Sequence, residues 1–145
     1  MGDGEGALDK YWAALKAAYR EEYSEITADH MVFPRNYEEL IEHNAFAIAN
    51  DEYDHTIAMW LNIEDGRISQ IAFSSEECLV CKACGSMITE LARTATLEQA
   101  SSITTEDVIE DLEGLPEKDR HCAQLAVETL QMALKDYFHR LGRDV

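Results

Sequence analysis

From Ala7 to about Asp29 the apolar positions Leu8, Trp12, Leu15, Ala18, Tyr19 and Tyr23 recur every three or four residues. That period predicts an amphipathic helix with one face turned to a core. Phe33-Pro34-Arg35-Asn36 ends it, because proline disfavours helix at the residue before it and has no N–H to continue the ladder. From Asn44 to Ser75 the pattern changes to that of sheet, with strands predicted over Ala45–Ala49, His55–Ile63 and Arg67–Phe73. Asp65-Gly66 between the last two is a hairpin signal, since glycine tolerates the positive φ such turns need. With those two residues as the turn, Glu64 faces Arg67, and the same register sets Tyr53 opposite Cys78 and His55 opposite Glu76. The hairpin is thus expected to carry Tyr53 and His55 toward Cys78.

Helical spacing returns from Val80 to Arg93, with Met87, Ile88 and Leu91 as the apolar side. Cys78 falls just before this helix, and Cys81 and Cys84, three residues apart, share a face of its first turns. Short helices are predicted over Thr94–Ser101 and Thr104–Leu112, the second opened by a threonine cap and the acids Glu106 and Asp107. Gly114-Leu115-Pro116 punctuates the chain. A long helix then runs from Glu117 to Leu141, with Leu125, Ala126, Leu130, Met132, Ala133 and Phe138 as predicted core contacts.

The length, 145 residues, and the 46% hydrophobic content fit one domain over 1–145, with 1–6 as a flexible end. No apolar run is long enough to span a bilayer, and Met-Gly-Asp-Gly-Glu-Gly lacks the basic start of a secretion signal. A soluble, cytoplasmic protein is expected. The 29 acidic against 12 basic residues give a formal charge of -17, which repels phosphate backbones and anionic membranes. Neither nucleic acid nor membrane is therefore an expected partner, whereas a basic protein surface is.

In a reducing compartment four cysteines point to metal binding or sulfur chemistry instead of disulfides. Cys78, Cys81 and Cys84 lie within seven residues, and Cys122 follows His121. A thiolate at a helix N-terminus is stabilised by the dipole and by free amides, which favours Cys78 and Cys81 as ligands. A Cys-x-x-Cys loop lets both sulfurs reach one zinc ion at about 2.3 Å, and thiolates also hold iron-sulfur clusters. Buried free cysteines also serve as small packing residues. Cys122, on the apolar side of its helix, fits either role, but three cysteines in so short a run argue for chemistry. His55 joins them as a candidate ligand through the hairpin register. His30, His43 and His139 have nothing comparable nearby and read as structural or solvent-facing.

These segments resemble the U-type iron-sulfur cluster assembly scaffolds: IscU, SufU and the N-terminal domain of NifU. Asp29-His30-Met31-Val32-Phe33-Pro34-Arg35-Asn36 is similar to the family's Asp-His-x-x-Asn-Pro-Arg-Asn. Asp65 to Phe73, Cys78 through Ser86-Met87-Ile88-Thr89-Glu90, and His121-Cys122-Ala123-Gln124-Leu125-Ala126 resemble the family's hairpin and the surroundings of its second and third cysteines. The resemblance implies an α+β fold, with a small antiparallel three-stranded sheet and helices packed on one face. It also implies a site at one end made by three cysteines and an aspartate.

Against that pattern, Tyr53 stands where the family has its first cysteine and His55 where it has the ligand aspartate, while Cys81 and Cys84 replace small residues. Leu115-Pro116-Glu117-Lys118 matches only in part the chaperone-recognition segment of IscU. The ligand set expected here is therefore Cys78, Cys122 and one or both of Cys81 and Cys84, with His55 at the aspartate position. The implied cargo is iron or an iron-sulfur cluster (2Fe-2S or 4Fe-4S), with zinc as the alternative metal, and Cys122 is the implied persulfide acceptor. The implied partners are a cysteine desulfurase, apo iron-sulfur acceptor proteins and a second copy in a homodimer. On this basis the chain is a scaffold or carrier and not an enzyme. The alternatives are a zinc-bound sulfur-transfer partner of a desulfurase and a stable iron-sulfur protein of electron transfer or sensing.

Overall fold

The computed structural model describes residues 3–76 and 78–142. Met1 and Gly2, from the end expected to be flexible, lie outside these, and Asp3 already opens the first helix. Where one N-terminal helix was expected there are two, α1 (Asp3–Tyr19) and α2 (Glu25–Val32). Tertiary bonds set the break. Ser24 caps α2 by accepting the Thr27 N–H at 3.0 Å, and the Thr27 hydroxyl donates to the Leu112 carbonyl at 2.9 Å. The Tyr23 hydroxyl meanwhile donates to Asp119 at 2.8 Å. These partners are some 85 to 96 residues away in sequence, so local periodicity carries no trace of them.

The sheet has the order β1-β2-β3, all antiparallel, with β1 at Ala45–Asn50, β2 at Thr56–Glu64 and β3 at Arg67–Ser75. Asp65 and Gly66 take φ of 53° and 74° at the turn, and Glu64 pairs with Arg67 as predicted. The register further along is not the predicted one. Asn62 pairs with Gln70 but Ile63 with Ile68, so Ser69 is an extra residue, its hydroxyl donating to the Asn62 carbonyl at 3.1 Å. The cause is the spacing of the apolar residues of β3. Ile68 and Ile71 are both buried, and an odd separation can face one side of a strand only across a bulge. Every later partner moves by one: Ile57 pairs with Ser75, and the Glu76 N–H reaches the carbonyl of Thr56, not of His55. Tyr53 accordingly does not face Cys78.

After the sheet come α3 (Leu79–Ala92), α4 (Leu97–Ser101), α5 (Thr105–Asp111) and α6 (Arg120–Arg140), the last entered through a single 3-10 turn, Glu117–Asp119. Helix α6 lies along β1 and β2, and α3 along β3. Between them Ile57, Met59, Leu61, Phe73, Ile88 and Leu130 are almost wholly excluded from water. On α6 the inward stripe runs through Cys122, Ala126, Leu130, Ala133 and Leu134. Met132 falls off that stripe and is exposed, contrary to expectation, and Phe138 is only half-buried.

The loop after α2 is tied to the middle of α3. The Ser86 hydroxyl accepts the Arg35 N–H at 2.7 Å and pairs with His30 Nδ1 at 2.6 Å. Asn36 donates to Thr89 Oγ1 at 3.0 Å, and Gly85 leaves room for the Phe73 ring beside the helix. This interlock fixes α3 against the sheet, and so fixes where the helix begins.

Candidate metal centre

That beginning is Cys78. It is the N-cap of α3, and its sulfur accepts the Cys81 N–H at 3.2 Å, the place a serine or threonine hydroxyl commonly fills. Cys122 enters from the first turn of α6, its sulfur 3.9 Å from that of Cys78. Hydrogen bonding from the Cys122 thiol, then from Cys81, holds the Cys78 thiol far below the usual range, against the effect of burial. Hydrogen bonding to Cys122 and Cys78 pushes the Cys81 thiol up, and hydrogen bonding to Cys78, opposed by that to Cys81, pushes Cys122 up.

The fourth member arrives by a turn that the acid at its start builds. Asp51 Oδ1 accepts the N–H of Tyr53 at 2.9 Å and of His55 at 3.0 Å, while the Asp51 N–H donates to the His55 carbonyl at 3.0 Å. Asp54 completes the turn at φ 65°. The imidazole of His55 is thereby brought against the sulfurs. One donor atom from each of His55, Cys78, Cys81 and Cys122 lies within 4.8 Å of all the others. His55 Nδ1 is buried without a hydrogen-bond partner: Asp51 Oδ2 stands 3.3 Å away but out of line.

Three sulfurs and an imidazole form a borderline-soft donor set that suits zinc, ferrous iron or an iron-sulfur cluster. The unpartnered nitrogen fits such a role. Cys84, also expected in the set, stands outside this group. It lies one helical turn beyond Cys81, about 4.5 Å further along the axis, and is wholly buried, which pushes its thiol well up.

His121, next to Cys122, keeps its ring beside that sulfur, with Nδ1 at 3.8 Å and Nε2 at 4.0 Å, and faces the turn as well. Its Nδ1 is 2.9 Å from Asp51 Oδ2, and its ring stacks on His55 with centroids 5.2 Å apart and planes 11° from parallel. Tyr53, more than half exposed, packs on His121 at 4.4 Å. Burial raises the Asp51 carboxyl, but the N–H groups of His55 and Tyr53 and the His121 ring outweigh it and hold the pKa low. Asp51 escaped the reading of the sequence. Its signal is an aspartate two and four residues ahead of the N–H groups it caps. Of the remaining histidines, His30 is buried on Ser86, His43 Nδ1 lies 2.9 Å from the Leu40 carbonyl, and His139 is exposed.

Comparison with known proteins gives the arrangement a context. The NifU-like N terminal domain family matches residues 22–144. The iron-sulfur cluster assembly scaffold protein IscU 1 of Archaeoglobus fulgidus is 34% identical over 122 residues, covering 83% of this chain and 80% of its own length. The scaffold protein IscU of Aquifex aeolicus is 34% identical over 127 residues, 84% of this chain and 80% of that one. Among solved structures, an N-terminal NifU-like protein from Brucella abortus superposes with a TM-score of 0.64 at 16% identity, over 79% of this chain and 93% of that one. That likeness shows the same α+β fold. No described helix is long and apolar enough to cross a membrane.

Proposed function

The chain belongs to the NifU-like N-terminal domain family, and from that premise we propose that it is an iron-sulfur assembly scaffold with a rebuilt ligand set of His55, Cys78, Cys81 and Cys122. The observation that carries this is the convergence of those four donors from three separate elements, with one ring nitrogen buried and unpartnered. In the family pattern the first cysteine lies at position 53, here a tyrosine. On this proposal its ligand is replaced by Cys81, and the aspartate ligand by His55. Iron and the cluster are cargo: the thiolates hold them until an apo acceptor protein takes them.

Sulfur reaches the site as the persulfide of a cysteine desulfurase. Cys122, giving its proton to the neighbouring Cys78 thiolate, attacks the outer sulfur. A new S–S bond forms on Cys122 as the donor S–S bond breaks, and the donor cysteine leaves as thiolate. Each sulfur so delivered takes two electrons from an external reductant to become sulfide. Anaerobic reconstitution with iron, cysteine and a desulfurase, followed by assay of iron, acid-labile sulfide and transfer to an apo-ferredoxin, tests the proposal. Folded protein that takes up neither iron nor sulfide overturns it.

The compactness of the group favours a second reading. Donors around one tetrahedral zinc at about 2.3 Å stand about 3.8 Å apart. The Cys78 to Cys122 separation of 3.9 Å is close to that edge. On this reading the chain is a zinc-bound partner that relays sulfur from the desulfurase without building a cluster. Metal analysis of anaerobically purified protein separates the two. One zinc without sulfide means relay, and iron with equimolar sulfide and a visible absorbance band means scaffold.

A further inference from the structure

We propose that Asp51, His55 and His121 form a second divalent-cation site of nitrogen and oxygen donors, which adjoins the thiolate centre, shares His55 with it and receives ferrous iron before the sulfurs do. These three residues also bring donor atoms within 4.8 Å of one another. Two imidazoles converge on one carboxylate oxygen: Asp51 Oδ2 is 2.9 Å from His121 Nδ1 and 3.3 Å from His55 Nδ1. Neighbouring donors of an octahedral ion with bonds of about 2.1 Å stand about 3.0 Å apart, so both spacings fit a bound ion as they stand. Asp51 divides its oxygens between two tasks. Oδ1 is committed to the N–H groups of the turn, which fixes the carboxylate, while Oδ2 is left for the imidazoles.

The donor chemistry differs from that of the sulfur site. Carboxylate with imidazole suits harder divalent ions such as Mn²⁺ and Fe²⁺, whereas thiolates draw the softer ones. Access suits an entry point as well. His55 and His121 are each about a quarter exposed, and a cavity of about 200 Å³ beside Asp51 and His121 is rimmed by Glu52 and Glu128. The formal charge of -17 raises the local concentration of cations over the whole surface.

Sharing His55 has a consequence. A neutral imidazole offers one lone pair, so His55 serves one ion at a time. An ion at the nitrogen-oxygen site can pass to the sulfurs by keeping His55 and exchanging Asp51 and His121 for thiolates. This hand-over rests on the thiolate-centre reading. The existence of the site does not.

Titration of the full chain with Mn²⁺, followed on the histidine ring protons by NMR, tests the proposal. Substoichiometric Mn²⁺ is expected to broaden His55 and His121 while His43 and His139 stay sharp, and one equivalent of Zn²⁺, seated on the sulfurs with His55, is expected to weaken Mn²⁺ binding about tenfold or more. Asp51→Asn keeps the Oδ1 acceptor and hence the turn, so it is expected to lower Mn²⁺ affinity about tenfold or more while zinc uptake by the thiols persists. His121→Gln, which leaves the turn alone, is expected to do the same. Sharp His55 and His121 lines at saturating Mn²⁺, or broadening unchanged in both variants, overturns the site and leaves Asp51 a positioning residue only. Mn²⁺ binding indifferent to zinc overturns the hand-over. Manganese binding by a protein whose thiols take up no zinc and which assembles no sulfide would sink the thiolate reading and leave this site standing.

Discussion

Helix α3 has two characters within fourteen residues. Its first turn, with Cys78 and Cys81, is a junction where three elements meet and where polar atoms are only partly satisfied by protein. Its middle, with Gly85, Ser86 and Thr89, is wholly buried and fully bonded: Ser86 serves His30 and Arg35, and Thr89 receives Asn36 and donates to the Ser86 carbonyl at 2.8 Å. Unmet bonding capacity collects at the end that is read as functional, and none is spared at the part that holds the helix in place. Rigidity in the middle is what keeps the donors at the end converged.

The largest expected effect comes from striking the end. Cys78→Ser and Cys122→Ser are each expected to lower zinc or ferrous affinity by more than about 100-fold, beyond the usual loss for a supporting residue. The apo chain is expected to unfold near its original midpoint in Cys78→Ser, because that residue is only half-buried and serine keeps the cap. Competition with a chromophoric chelator and urea denaturation check the two halves of this statement. Loss of both affinity and stability would erase the contrast between the two parts of α3.

Striking the middle is expected to reverse the pattern. A Cβ on Gly85 would stand close against the Phe73 ring, within 2.5 Å of two of its carbons, and that ring is fully buried with Tyr37 packed edge-on at 5.2 Å. Overpacking of about 1–3 kcal/mol outweighs the gain of about 1 kcal/mol in helix propensity, so Gly85→Ala is expected to lose up to about 2 kcal/mol. The urea midpoint should fall while each folded molecule still binds one metal ion.

Cys84 is the sharpest divider between the two characters, because the sequence assigns it to the end and the structure to the core. Cys84→Ala is expected to cost about 1 kcal/mol in stability and nothing in metal stoichiometry. Metal loss in that variant would return Cys84 to the ligand set.

The helices, strands and hairpin turn were legible because each rests on local periodicity or on one dipeptide such as Asp65-Gly66. The family was legible because motif identities and spacing agree over most of the chain, and three of the four cysteines mark the place where the donors converge. What escaped depends on contacts distant in sequence. Ser24 and Tyr23 split the first helix by bonding to Leu112 and Asp119. Ser69 shifts the register through a bulge whose sign was two polar residues between Ile68 and Ile71. Cys81 and Cys84 are equivalent by spacing and both wholly buried, and only the rise along α3 sets Cys81 among the converging donors and Cys84 beyond them. Asp51 lay hidden because its partners come from its own turn and from His121, seventy residues on.

The smallest expected effect is a pH dependence that belongs to the middle. His30 is buried on α2 against Ser86 of α3, where burial first and the Arg35 charge second hold its pKa below the ordinary 6.5, with Asp29 and Glu90 opposing. The folded chain thus keeps the ring neutral at a pH where the unfolded chain takes a proton. Below about 6.5 the unfolded state binds more protons, so the contribution of His30 is present above that pH and is lost as pH falls toward the folded value. A single group gives a slope no steeper than about 1.4 kcal/mol per pH unit. Asp29 and Asp51, both held below their ordinary 3.8, act through carboxylate protonation at lower pH, outside the interval from about 5 to 6.5. Denaturation of the apo chain across that interval is expected to show stability rising with pH. In His30→Gln, whose amide can still bond Ser86, that rise should flatten. If the His30 variant keeps the full rise, the interlock is indifferent to protons.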